Sequence, residues 1–220
     1  MCWNRKSIKE QGSVSMENNN GKKLNINYKL SDYERPSVTA DILIFSQKGS
    51  DGDRLRLLLI KRKHDPYEGC FALPGGFVNP DETVDQAAKR ELEEETGLGD
   101  IEPAQLRLFS TPGRDPRGWV ITQAFIAVID EDQHTVAAGD DAAMAAWFDV
   151  GFSVAEESED KCVFDLTLKG CGQTLGARAE VKRDTGAPGN PDRVAVLESK
   201  GLAFDHAWMI CCGIVELKHL

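Results

Sequence analysis

No apolar run in this chain approaches the roughly 20 residues that a membrane-spanning helix requires. The N-terminal stretch MCWNRKSIKEQGSVSMENNN has no continuous apolar segment of the kind a secretory signal needs. Positive charge is also scarce: 26 lysines and arginines stand against 36 aspartates and glutamates, for a formal net charge of -10. A chain this acidic repels phosphodiester backbones and anionic lipid, which argues against nucleic acid or a membrane as primary partner. The same charge poses a question for any phosphate ligand, which a bridging divalent cation would answer. The six cysteines, Cys2, Cys70, Cys162, Cys171, Cys211 and Cys212, form no CxxC pair and no regular framework. A disulfide scaffold and a zinc site are therefore disfavoured, and a reduced, cytoplasmic setting is expected. Internal repeats are missing too. What is present is a 220-residue chain of ordinary apolar and charged content, suited to one domain with room for an insertion.

Residues 1–34 are polar, Asn-rich and aperiodic, and read as a flexible leader, with Met16 an alternative start to Met1. Residues 35–220 read as a single domain. SVTADILIF and RLRLLLIKR are strands, and FALPGGFV is a short strand running into a Gly-Gly turn. From Thr83 to Thr96 the period is helical, with Asp81 or Thr83 as the N-cap and Gly97 as the stop. Strands follow near Gln105–Phe109, in WVITQAFIAVI and at the end of AGDDAAMAAWFDV, giving the order β-β-β-α-β-β-β. Residues 151–200 read as three more strands, a β-rich insertion or extension. A terminal helix closes the chain, with Leu202, Trp208, Ile210, Cys211, Ile214 and Leu217 as its apolar stripe. The fold class is α/β.

Glu91, Glu94 and Glu95 stand at i, i+3 and i+4 of the predicted helix. They share one sector of its surface, next to Val84, Ala87 and Ala88, which must pack on the sheet. Carboxylates gathered at the edge of a core repel one another and resist ionising. A hard cation such as Mg²⁺ or Mn²⁺ removes that conflict, because it prefers oxygen ligands. A solvated acidic face is the bland alternative for three glutamates alone. Two neighbours tell against it: Leu73-Pro74-Gly75-Gly76, read as a tight turn entering the helix, and Arg90, able to hold carboxylates by forked hydrogen bonds.

The stretch Gly76 to Leu98 resembles the Nudix box, G-x5-E-x7-R-E-U-x-E-E-x-G-U, with U a bulky aliphatic residue. Gly76, Glu82, Arg90, Glu91, Leu92, Glu94, Glu95, Gly97 and Leu98 fill all its fixed positions. The resemblance implies a Nudix-type α/β/α sandwich with a mixed sheet and metal-dependent cleavage of a diphosphate linkage. It implies Mg²⁺ or Mn²⁺ on Glu91, Glu95 and Glu94 with the Gly75 carbonyl. It also implies catalytic duty for Glu94 and Glu91, supported by Arg90 and Glu82, and a homodimer acting on a small-molecule nucleotide.

Three flanks resemble the ADP-ribose pyrophosphatase group of the family: Tyr33–Thr39, Arg114–Gly118 and Leu202–His206. They imply ADP-ribose, split to AMP and ribose 5-phosphate, ahead of other nucleotide diphosphates or damaged nucleotides. Non-catalytic regulators with similar flanks carry a winged-helix module after this domain; the chain ending at Leu220 and the acidic charge favour an enzyme. Arg114 and Arg117 are candidate grips on the diphosphate or a terminal ribose, or else solvated turn charges. Arg62 is a candidate phosphate contact or a surface arginine. Phe71 is a candidate base-stacking ring, with a core role the stronger alternative. The general base stays open, with the loop around Asp115 and the Asp140–Asp141 pair as places to look. His206 either titrates near neutrality or is satisfied by Asp205.

Overall fold

The computed structural model describes residues 15–17, 23–25, 30–48, 54–137, 142–183 and 193–218. The chain divides into two units, Met1–Arg35 and Pro36–Leu220. In the first, β1 (Ser15–Glu17) pairs antiparallel with β2 (Lys23–Asn25), and a 3-10 turn covers Leu30–Asp32.

The second unit begins with β3 (Ser37–Lys48), β4 (Arg54–Arg62), β5 (Phe71–Ala72), β6 (Gly75–Phe77) and helix α1 (Val84–Thr96). It continues through β7 (Ala104–Phe109), β8 (Val120–Ile129), β9 (Ala142–Glu157), β10 (Lys161–Gly170), β11 (Gln173–Lys182), β12 (Val194–Lys200) and helix α2 (His206–Lys218). One sheet runs in the order β12-β11-β10-β9-β4-β3-β8-β7, with β5 beside β4 and β6 beside β3. β3 and β8 are parallel while their neighbours pair antiparallel, so the sheet is mixed, as the α/β reading expects.

Alternation along β3 explains how one strand serves two cores. Ala40, Ile42 and Ile44 face α1 and pack with Ala87, Ala88 and Leu92. Leu43 and Phe45 face the other side and pack with Ile210, Cys211 and Ile214 of α2. A strand covered on both faces loses the polar half of its pattern, which is why β3 and β4 look almost continuously apolar. Helix α1 starts where Thr83 accepts from the Gln86 amide while the Gln86 side chain accepts from the Thr83 amide, and it ends on left-handed Gly97.

Two expectations are corrected and a third is narrowed. FALPGGFV forms two strands, since Gly75 and Gly76 extend along β3 opposite Asp41 and Ala40, and α1 begins only at Val84. Of the two readings of residues 151–200, the structure favours the extension: β9 is 16 residues long and pairs with both β4 and β10, so this region continues the same sheet. Leu202 lies outside α2, and that helix has more than a stripe, with Ala207 and every residue from Met209 to Val215 buried. The sheet curls around it. Trp208 donates from Nε1 to the Val194 carbonyl at one sheet edge (2.8 Å) and packs edge-to-face on Phe109 of the other (4.9 Å). Cys211 and Cys212 lie inside this curl, where burial pushes both thiols up, Cys212 to about 11. The described cysteines are all free, and no described helix is long and apolar enough to cross a membrane.

Candidate active site

Arg90 is the hub around which the carboxylates are arranged. Its Nε and Nη2 fork onto Glu82 (3.0 and 2.6 Å), and Nη2 also reaches the Phe77 carbonyl (3.0 Å). Its Nη1 donates to Glu91 Oε1 (2.7 Å) and Glu94 Oε2 (3.0 Å). Glu82 accepts further bonds from the backbone and side-chain nitrogens of Asn79. The Arg90 fork and then the Asn79 amide hold the Glu82 carboxyl down to about 2. Burial pushes Glu91 the other way, above the usual carboxylate range, with Arg90 opposing.

The three helix glutamates do not share one environment. Glu95 is 9% exposed and the Glu91 side chain 14%, whereas that of Glu94 is 59% exposed. The geometry of the turn explains the split. At about 100° per residue, Glu95 lies about 40° to one side of Glu91 and Glu94 about 60° to the other. The sheet takes the first side and solvent the second. Glu91 and Glu95 open into one cavity of ≈ 380 Å³ with Gly75, Gly76, Arg62, Lys63 and His64, which Glu94 does not line. Glu91 and Glu95 thus share the cavity, while Glu94 stays tied to Glu91 through Arg90, whose Nη1 serves both carboxylates. Among the described residues no three acidic, histidine or cysteine side chains gather closely enough to hold a metal by themselves.

The two glycines of β6 set the spacing of that pair. The Gly75 amide donates to Glu95 Oε2 at 2.7 Å. A Cβ on Gly75 would collide with the Ala40 carbonyl and with Asp41, at a φ of 154° that L side chains avoid. A Cβ on Gly76 would overlap the Glu91 carboxylate itself. We expect Gly76→Ala to displace that carboxylate and lower kcat by about 100-fold, the cost of roughly 1 Å of misplacement. Circular dichroism should show the fold retained; a fully active Gly76→Ala protein would refute this account of the glycine.

A second hollow adjoins the first across Arg62 and Gly75–Phe77, lined also by Asp41, Asp115, Arg117, Phe204 and His206. Arg117 lies between the rings of Phe77 and Phe204, its Cζ 4.9 Å from each centroid, and forks onto buried Asp115. Burial raises the Asp115 carboxyl, but the Arg117 fork and amide outweigh it, and the net shift is downward. Arg114 is enclosed, its side chain 4% exposed, with its Nε and Nη2 on Asp205 (2.8 and 2.6 Å). Each of these arginines is paired with a carboxylate, Arg114 enclosed with Asp205 and the more exposed Arg117 with Asp115, and both line the hollow. Arg62 differs. Its hydrogen bonds run to the neutral carbonyls of Pro66 and His64, and its guanidinium lies 4.9 Å from the Phe204 ring. Burial, and then the charge of Arg117, lower its pKa.

Phe71 is 1% exposed and packs edge-to-face on Phe148, so it belongs to the core; the rings beside the cavities are Phe77 and Phe204. His206 is not satisfied by Asp205. Its Nδ1 accepts from the Leu73 amide (2.8 Å), and Nε2 lies 3.7 Å from Asp41 Oδ1. Asp140 and Asp141 lie outside the described residues. Asp41 and Phe77 were not legible as site residues. For Asp41 there was one signal, a lone carboxylate inside an apolar strand; it is 7% exposed and accepts from Thr122 Oγ1 at 2.5 Å.

The sequence pattern of the NUDIX domain matches residues 35–160 of this chain. An ADP-ribose pyrophosphatase of Methanocaldococcus jannaschii is 46% identical over 118 residues, which cover 54% of this chain and 64% of that protein. The ADPR responsive transcriptional repressor NtrR of Acinetobacter baylyi is 39% identical over 105 residues, 47% of this chain and 41% of that protein. Among solved structures, a MutT/nudix family protein from Enterococcus faecalis superposes with a TM-score of 0.66 at 34% identity. That match covers 87% of this chain and 66% of the other. The chain thus spans less than two thirds of the length of each of these relatives.

Proposed function

From the membership of this chain in the NUDIX family, we propose that it is a metal-dependent hydrolase that cuts the diphosphate linkage of a nucleoside diphosphate derivative. ADP-ribose, split to AMP and ribose 5-phosphate, is the proposed substrate. The observation that carries this reading is the opening of Glu91 and Glu95 into one cavity bordered by Arg62. The name of the M. jannaschii relative supports the choice of substrate. Action in the cytoplasm as a homodimer belongs to the same proposal and draws on the family likeness.

The donor set fits Mg²⁺ or Mn²⁺. Two carboxylates and the Gly75 carbonyl are hard oxygen donors, and Mg²⁺ is commonly held through one or two carboxylates, with waters and substrate phosphates completing its shell. Glu91, Glu95 and Gly75 would hold it; Glu94, 59% exposed, is left outside this proposed set. When bound, the ion neutralises diphosphate charge and polarises the phosphorus oxygens. The protein's own groups do the rest. Arg62 offers a guanidinium whose bonds go to carbonyls, leaving its charge for the anionic ligand. The Glu82–Arg90 fork braces Glu91 from behind. Arg117, clamped between two rings, walls the side where the leaving half of the substrate would lie.

The test is a steady-state comparison of ADP-ribose, nucleotide sugars and 8-oxo-dGTP with Mg²⁺ and with excess chelator. We expect kcat/KM for ADP-ribose to exceed the others by at least about tenfold, and chelator to abolish turnover. Cleavage of 8-oxo-dGTP with ADP-ribose untouched would overturn the substrate. Tight binding of ADP-ribose without turnover would replace the enzyme by a sensor of that ligand.

A further inference from the structure

The segment Gly201–His206, which enters α2, pairs with Phe71 and then runs along the site through Phe204, Asp205 and His206. The Phe71 amide donates to the Gly201 carbonyl (3.1 Å), and the Ala203 amide donates to the Phe71 carbonyl (2.8 Å). The ring of Phe204, held on a left-handed backbone (φ 49°), backs Arg62 and Arg117. Asp205 takes the Arg114 fork. His206 then reaches across to the piece of chain that ends at the catalytic glycines.

That piece, Leu73–Gly75, is suspended from three elements. The Leu73 amide donates to His206 Nδ1 at 2.8 Å, from α2. The Pro74 carbonyl accepts from the Ile42 amide at 2.8 Å, from β3. The Gly75 amide donates to Glu95 Oε2 at 2.7 Å, from α1. Only the first contact uses a side chain with no other duty at the cavity. His206 is 4% exposed, and burial lowers its pKa, so the ring is neutral and its Nδ1 lone pair is available. With Nδ1 accepting, the ring proton sits on Nε2, facing Asp41 Oδ1 at 3.7 Å. Asp41 in turn is fixed by Thr122.

We propose that His206 is a positioning residue for hydrolysis: its Nδ1 holds the Leu73 amide, which sets Gly75 against Glu95 and ties the seating of α2 to the geometry of the carboxylate pair. This rests on the hydrolase reading above. Leu73 lies in a dry setting, 1% exposed. A donor left unpaired there will seek another partner and carry Gly75 with it.

The test uses two variants and one measurement on the unaltered protein. His206→Phe keeps a ring but removes the acceptor. It should lower kcat about tenfold or more, move the ADP-ribose KM by less than about threefold, and weaken Mn²⁺ binding about fivefold without substrate. Mn²⁺ binding is read from the electron paramagnetic resonance of the free ion. His206→Asn places an amide oxygen near the Nδ1 position and should bring kcat and Mn²⁺ affinity back to within about threefold of the unaltered protein. In the unaltered protein, ¹⁵N spectra of the imidazole should show the Nε2–H tautomer. A folded His206→Phe protein with kcat and Mn²⁺ affinity within about twofold of normal would overturn the proposal. So would an Asn variant as impaired as the Phe variant. An Nδ1–H tautomer overturns it even if neither variant folds. If the unaltered protein cleaves no diphosphate, it is the hydrolase reading that fails, and the wild-type control separates that outcome from the others.

Discussion

Glu95→Gln is expected to lower kcat by at least about 10³-fold, a loss of about 4 kcal/mol in transition-state stabilisation. The fold should survive. Glutamine keeps the shape of the side chain, and its amide oxygen can still accept from the Gly75 amide, which Glu95 Oε2 now does at 2.7 Å. Keeping that bond turns the NH₂ group toward the cavity, where a donor cannot ligate a cation. The alternative rotamer offers the oxygen to the cavity but sets the NH₂ against the Gly75 N–H, two donors face to face in a buried place. Either way the proposed ligand pair loses a charge, together with either a ligating lone pair or the bond that holds Gly75. Mn²⁺ binding should weaken in parallel, and thermal unfolding should change little. A Glu95→Gln protein that turns over at the normal rate with Mg²⁺ would remove Glu95 from the proposed metal site.

The largest expected effect on stability lies at Asp205. Asp205→Asn should destabilise the protein by about 3 kcal/mol, since it leaves the guanidinium of Arg114 enclosed without its counter-charge. The pair is well buried, with side-chain exposures of 4% for Arg114 and 18% for Asp205. For a chain of this size, that loss corresponds to a fall in Tm of roughly 6–12 °C. The double replacement Arg114→Met with Asp205→Leu should recover most of the loss, because a buried ion pair offsets its own desolvation only narrowly. The value of the pair is then orientation. It pins the loop that carries Asp115 and Arg117 to the segment that carries Phe204 and His206. Asp205→Asn melting within about 2 °C of the unaltered protein would show that water or another group compensates Arg114.

Several parts of this protein were readable along the chain because short-range chemistry decides them. Thr83 and Gly97 bound α1 where the capping preferences put them. The bounds of β4 coincide with the run RLRLLLIKR, because an apolar stretch between polar turns has no other way to bury itself. The nine fixed positions of the box, Gly76 to Leu98, identify the family by their own spacing. Helical periodicity also brings Glu91, Glu94 and Glu95 into one sector.

The rest depended on which surfaces meet, and that is a property of chain closure. Periodicity cannot say which flank of a helix sector the sheet will cover, and only packing separated Glu95 from Glu94. It cannot say that β9 would run on for 16 residues and carry β10 to β12 into the same sheet. Along the chain the two arginines of RDPRG are either grips on a substrate or solvated turn charges, and their pairing with Asp115 and Asp205 appears only in the fold, the second from 91 positions away in sequence. The Leu73 amide and His206 are 133 positions apart. Asp41 meets Thr122 across 81. The sequence alone therefore determined a family, a helix and its carboxylates. The tertiary structure decided which carboxylates face the cavity and which distant side chains hold the glycines beside them, because hydrogen bonds between remote residues form only once the sheet has curled around its last helix.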